Sequence, residues 1–142
     1  MVQPAPVSDG SRNLLRKVLV FAGVVEIGTG IAFMADPAIV VSLLLGGDVS
    51  SVGIPLGRCF GIALLALGIA CWPSRETAAG SRPAFRAMLI YNVLIAAYLA
   101  WQGTAAHMAG ILLWPAVLLH AGVALLLAWT QRDASSSRGT AT

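Results

Sequence analysis

Four long apolar runs, near residues 14–34, 55–73, 84–102 and 108–129, take up most of the chain and are almost free of charge. A helix rises about 1.5 Å per residue and the hydrocarbon layer of a bilayer is about 30 Å thick, so each run has close to the length that one crossing needs. The sequence therefore predicts an all-α fold, a four-helix transmembrane bundle. Charged residues make up 11% of the 142 residues, against about 25% in soluble domains. Residues 12–132 read as one membrane domain. Residues 1–11 and 133–142, rich in Pro, Ser, Thr, Ala and Gly, read as disordered cytoplasmic tails.

The basic residues give the runs a direction. Arg12, Arg16 and Lys17 stand at the start of the first run, Arg75, Arg82 and Arg86 around the connection between the second and third, and Arg132 and Arg138 after the fourth. Only Arg58 belongs to the opposite side. Positively charged connections stay in the cytoplasm, which predicts that both termini are cytoplasmic. Trp72, Trp101 and Trp129 fall at the expected interfaces, where amphipathic indoles are favoured. The first run is too long for a signal-peptide core and carries Glu26, so it is expected to be a retained span.

Between the first two runs lies a shorter apolar segment. Asp36-Pro37 supplies an N-cap carboxylate and a proline suited to a first turn, and Gly46-Gly47 supplies a stop. Ala38 to Leu45 is too short to cross a bilayer, so a short outer interfacial helix is expected, lying in the interface or folded back onto the bundle. Gly57-x-x-x-Gly61 on the second run predicts close helix packing, and Trp114-Pro115 predicts a bend in the fourth.

The few polar residues inside the runs are the candidates for function. Glu26 lies near the middle of the first span, among Ala22, Gly23, Thr29 and Gly30, a small face that another helix can approach. A carboxylate at that depth is costly unless it is neutral, paired or facing a cavity. Arg58, about 7–8 Å away in depth, is its expected partner, with snorkelling to the outer surface as the competing reading. Asn92 and His120 lie at similar depths on spans three and four, either as interhelical hydrogen bonds or as part of a site. Tyr91 and Tyr98, seven residues apart beside Asn92, are candidate cavity-lining side chains.

Several classes of chemistry are excluded. No phosphate-binding glycine loop, no paired nucleophile and base, and no metalloprotease helix motif is present. His107 and His120 are about 20 Å apart along a helix and cannot share a metal ion, so no metal site is expected. Cys59 and Cys71, about 18 Å apart, are beyond disulfide reach. The basic residues lack the aromatic clustering of a nucleic-acid face, and no nucleic acid is expected as a partner.

Three stretches, Arg58 to Pro73 (RCFGIALLALGIACWP), Tyr91 to Leu94 (YNVL) and Leu113 to His120 (LWPAVLLH), resemble a group of small, uncharacterised four-helix bacterial inner-membrane proteins. The layout, with a short apolar helix between spans one and two, is similar to DoxX-like proteins. The resemblance implies a fold and a bacterial inner membrane. The quinone or thiol redox chemistry associated with some DoxX-like proteins has no matching motif here.

Two functions follow as expectations. The favoured one is a non-enzymatic accessory or scaffold protein, whose partners are the lipid bilayer and a membrane protein or a second copy. The alternative is binding or transfer of a small molecule, a quinone, a lipid or a proton, by Glu26, Arg58, Asn92 and His120. A ligand-sized cavity touching at least three of those four residues would favour the alternative, and a closed core would favour the accessory reading.

Overall fold

The computed structural model describes residues 9–72 and 82–139. Five helices follow in order: α1 (Asp9–Ala35), α2 (Pro37–Leu45), α3 (Gly53–Ala70), α4 (Arg82–Thr104) and α5 (Leu113–Gly139). Four of them carry segments long and apolar enough to cross a membrane, namely Asn13–Ala35, Gly53–Ala70, Pro83–Thr104 and Leu113–Thr130. The fold is the expected four-helix transmembrane bundle with a short helix between spans one and two. An even number of crossings puts the start of α1 and the end of α5 at one end of the bundle, with α2 at the other. The expected connection at 74–83 lies almost entirely outside the described residues.

Helices α1 and α3 pack through glycine. A Cβ on Gly30 would lie 2.7 Å from the carbonyl oxygen of Gly61, one on Gly61 2.6 Å from that of Gly30, and one on Gly68 2.8 Å from that of Gly23. None of these positions has room for a side chain, so the two backbones touch. In lipid, where burial of apolar surface between helices gains little, such close van der Waals contact is a main source of helix association. Gly57 instead meets Pro37 at the start of α2. The expected small motif of α3 thus closes contacts within one chain.

Helix α2 is built as its residues predict and is folded back onto the bundle. Asp36 Oδ1 accepts from the Ile39 N–H at 3.1 Å. Gly46 takes the left-handed conformation at φ 73° and donates to the Ser42 carbonyl at 2.9 Å. Its far side is held by the connection between α4 and α5. The Leu112 N–H donates to the Leu43 carbonyl at 2.9 Å, and Gly110 lies directly against the Leu43–Leu44 backbone.

That docking explains two departures from expectation. The fourth span starts at Leu113 and not near 108, because residues 105–112 form the strap that holds α2. Pro115 consequently falls in the first turn of α5, where its missing N–H has no partner to lose, and it starts the helix where a bend was expected. The ends at the other face run further than expected. Helix α1 begins at Asp9, past the last upstream proline, Pro6, and α5 continues to Gly139 through residues expected to be a tail. No glycine or proline stands between Gly122 and Gly139 to stop it.

The half of the bundle nearer the termini is packed among the described residues. Val18, Leu19, Ala22, Cys71, Phe85, Met88, Val123 and Leu127 form one buried cluster. The half nearer α2 is built differently and holds the candidate site.

Candidate functional site

The site starts from three buried polar residues, one on each of three helices. Glu26, Asn92 and His120 are 1%, 1% and 9% exposed, and all lie near the middle of their spans. The Asn92 amide nitrogen donates to the Met88 carbonyl of its own helix at 2.8 Å. Its oxygen is thereby turned towards α5 and lies 2.9 Å from His120 Nδ1. An amide oxygen only accepts, so Nδ1 carries the proton, and the neutral ring is left with Nε2 as an acceptor. Tyr91 stands edge-on to the His120 ring, with centroids 5.8 Å apart.

Glu26 completes the group from α1. Its Oε1 is 3.9 Å from His120 Nδ1, at the outer limit of an ion-pair distance. The Tyr91 hydroxyl faces the same carboxyl group, yet neither carboxyl oxygen closes a hydrogen bond. Among the described residues these two oxygens are the buried side-chain polar atoms left without a partner. An ionised, unpaired carboxylate in so dry a place costs several kcal/mol, roughly, and such a residue calls for an account of what it meets.

Arg58 is not what it meets. The glycine contacts pair Gly30 with Gly61 and Gly23 with Gly68 in antiparallel register, which puts Arg58 level with Phe33. That is seven residues, or about 10 Å, from Glu26. Gly57 and Gly61 turn one face of α3 towards α1 and α2, and Arg58, one position round the helix, is exposed. The expected Glu26–Arg58 pair is absent, and among the described residues the only ion-pair geometry joins Glu26 to His120. Depth was compatible with the pair; the rotation of α3 about its axis was not.

Above the polar group, towards α2, lies a cavity of about 550 Å³. That volume is in the range of sites for drug-sized ligands. All five helices contribute to its wall. Val25, Thr29 and Ala32 of α1, Phe60 and Leu64 of α3, Ile95 and Leu99 of α4, and Ala116 and Leu119 of α5 form the sides. Leu43 and Leu44 of α2 cover its top, and Tyr91 and His120 line its inner end. The α1–α3 and α4–α5 pairs meet chiefly through α1 and α5, while α3 and α4 have at most a glancing contact. Phe60, Tyr91 and Ile95 on the cavity wall are therefore only partly covered, on the side that faces lipid.

Of the four residues singled out from sequence, the cavity touches His120 alone, fewer than the three that were expected to favour a small-molecule site; Asn92 and Glu26 stand behind it, and Arg58 is remote. Tyr91 lines the cavity. Tyr98 does not: it is exposed, tilts against Trp101 at 6.2 Å and accepts from Gln102 at 3.0 Å. The small residues Thr29, Ala32 and Ala116 make the hollow and were missed as site residues. Thr29 and Ala116 carried a signal, as small side chains within one turn of Glu26 and His120, while Ala32, six residues from Glu26, lies on another face. No group of three His, Cys, Asp or Glu side chains comes together among the described residues to hold a metal ion. Cys59 is exposed and Cys71 is buried in the packed half.

Comparison with known protein families, with curated proteins and with solved structures finds no match for the chain.

Proposed function

We propose that this protein binds a small amphiphilic molecule inside the membrane, with the apolar body of the ligand in the α2-side cavity and its polar head at Tyr91 and His120. The observation that carries the reading is the cavity itself: about 550 Å³, apolar along its sides and ending on the one buried polar cluster. A scaffold whose polar residues only hold helices together would be expected to close this space with a packed cluster like that of Leu19, Met88 and Leu127. The gap between α3 and α4 gives a route from the lipid phase, so the ligand need not cross the polar surface.

Within this reading the protein works by binding or transfer and uses no covalent chemistry. His120 is the head-group contact, Asn92 fixes its tautomer and ring orientation, and Tyr91 forms the opposing wall. Glu26 supplies a site for a proton or a positive charge behind them. Quinones and lipids are ligand classes of the right size and solubility. The distribution of Lys and Arg supports cytoplasmic termini. The DoxX-like layout supports placement in a bacterial inner membrane.

The test is native mass spectrometry of the full chain purified in mild detergent from its membrane, alongside Ala116→Phe, whose ring occupies the cavity. A bound small molecule is expected on the wild type and is expected to be lost from a folded Ala116→Phe protein. A wild type that carries no ligand, together with a stoichiometric protein partner that survives purification, would replace this reading with the accessory one.

A further inference from the structure

The polar atoms at the inner end of the cavity are unbalanced between donors and acceptors, and the imbalance selects a ligand. Asn92 is engaged at both ends of its amide, the nitrogen with Met88 and the oxygen with His120. The His120 Nδ1 proton is spent on Asn92, which leaves Nε2 as a lone pair. Glu26 offers two oxygens with no partner. On the donor side stand the Tyr91 hydroxyl, which faces Glu26, and the Thr29 hydroxyl, which can act either way. No Lys or Arg side chain lines the cavity. The end of the cavity is thus poor in donors, and behind it stands a carboxyl group with no Lys or Arg paired to it among the described residues.

Resting on the reading of this cavity as a ligand site, we infer that its ligand is an amphiphilic amine, bound as the ammonium ion with its head at Tyr91 and His120, in front of the Glu26 carboxyl group behind them. An ammonium group brings only donors and a positive charge. Its hydrogens can meet the His120 Nε2 lone pair, and its charge faces the Glu26 carboxyl group behind, the positive partner that buried carboxylates otherwise find in Arg or Lys. The Tyr91 ring beside it adds a cation–π face, which strengthens where water is excluded. The reverse selection is equally clear. A fatty acid or a phosphate head would place acceptors and negative charge against Glu26 and an imidazole lone pair. An oxidised quinone carries acceptors only and meets the same mismatch, and leaving buried polar groups unpaired on both sides is what a polar site rejects most strongly.

The experiment uses three probes of one chain length, dodecylamine, dodecan-1-ol and dodecanoate, with the full chain in nanodiscs of a neutral phospholipid. Binding is read by equilibrium titration for the wild type and for Glu26→Gln, which keeps the shape of the side chain and removes its charge. Dodecylamine is expected to bind at least tenfold more tightly than the alcohol, and dodecanoate more weakly than either. Glu26→Gln should remove the amine's advantage and leave alcohol binding unchanged. An alcohol or acid that binds the wild type as tightly as the amine overturns the amine assignment and leaves the cavity reading standing. Binding of none of the three overturns both. If Glu26→Gln does not fold, the wild-type order of the three probes decides by itself.

Discussion

The two halves of the bundle use the same four helices and reach opposite results. Towards the termini, Leu19, Met88 and Leu127 point inward, are fully buried and belong to one packed cluster among the described residues. Towards α2 the inward positions carry Thr29, Ala32 and Ala116, and the space is left open under a cover made by Leu43 and Leu44. The α1–α3 seam is not splayed to make room: it stays in backbone contact from Gly23–Gly68 to Gly30–Gly61, the latter level with the cavity, while α3 and α4 stand apart. Small side chains on α1 and α5, together with the separation of α3 from α4, leave the α2-side half hollow. The polar cluster of Glu26, Asn92 and His120 lies at the boundary, where it can hold helices together on one side and meet a ligand on the other.

Substitutions that treat the halves alike should therefore separate them. Leu127→Ala opens a cavity in the packed half and should cost about 2–5 kcal/mol. Leu119→Ala merely widens a space that already exists and should cost clearly less; reversible unfolding in detergent or by steric trapping measures both. Comparable losses would mean that the α2-side cavity is filled or collapsed in the folded protein.

At the boundary, Asn92 and His120 should be coupled. A double-mutant cycle with Asn92→Ala and His120→Ala is expected to give an interaction energy of about 0.6–2 kcal/mol, the range for hydrogen bonds between membrane helices. No coupling would remove Asn92 as the residue that orients the imidazole.

Arg58 should behave as a surface residue. Arg58→Leu is expected to change stability by less than about 1 kcal/mol, and by the same amount with Glu26 present as in a Glu26→Gln background. A larger loss confined to the protein with Glu26 would restore the pair that α3 places out of reach.

The smallest effect belongs to the hollow half. A Cβ added at Gly28, on the cavity wall, meets nothing within 4 Å. Gly28→Ala should hold stability within about 1 kcal/mol of the wild type, with a gain favoured by the lower helix propensity of glycine. A loss as large as that of Leu127→Ala would contradict the open space at this position.

Much of this architecture was legible in the residues, and the divide is physical. Span lengths follow from hydrocarbon thickness, and the caps of α2 follow from Asp36, Pro37 and Gly46, which act on their own neighbours. The common depth of Glu26, Asn92 and His120 follows from counting residues along helices of known rise. What stayed hidden depends on contacts between distant segments. The rotation that turns Arg58 outward is set by which glycines of α3 meet α1, and α5 begins at Leu113 because residues 105–112 dock on α2. Tyr98, two turns from Tyr91 on nearly the same face, is exposed because Ile95 and Leu99 take the inward positions at that level. The cavity is a volume left over by five helices, and no single stretch of chain encodes it.

The most direct test of the hollow half compares two neighbours on α5, Leu118, exposed on the bundle surface, and Leu119, on the cavity wall. Photolabelling of the protein in nanodiscs with an alkylamine bearing a diazirine in its chain, followed by peptide mapping, reads both positions at once. The account predicts that labelling at Leu119 saturates and is displaced by unlabelled alkylamine, while labelling at Leu118 rises in proportion to concentration and is not displaced. Labelling that rises at both positions without saturation or displacement would contradict a ligand site within this bundle.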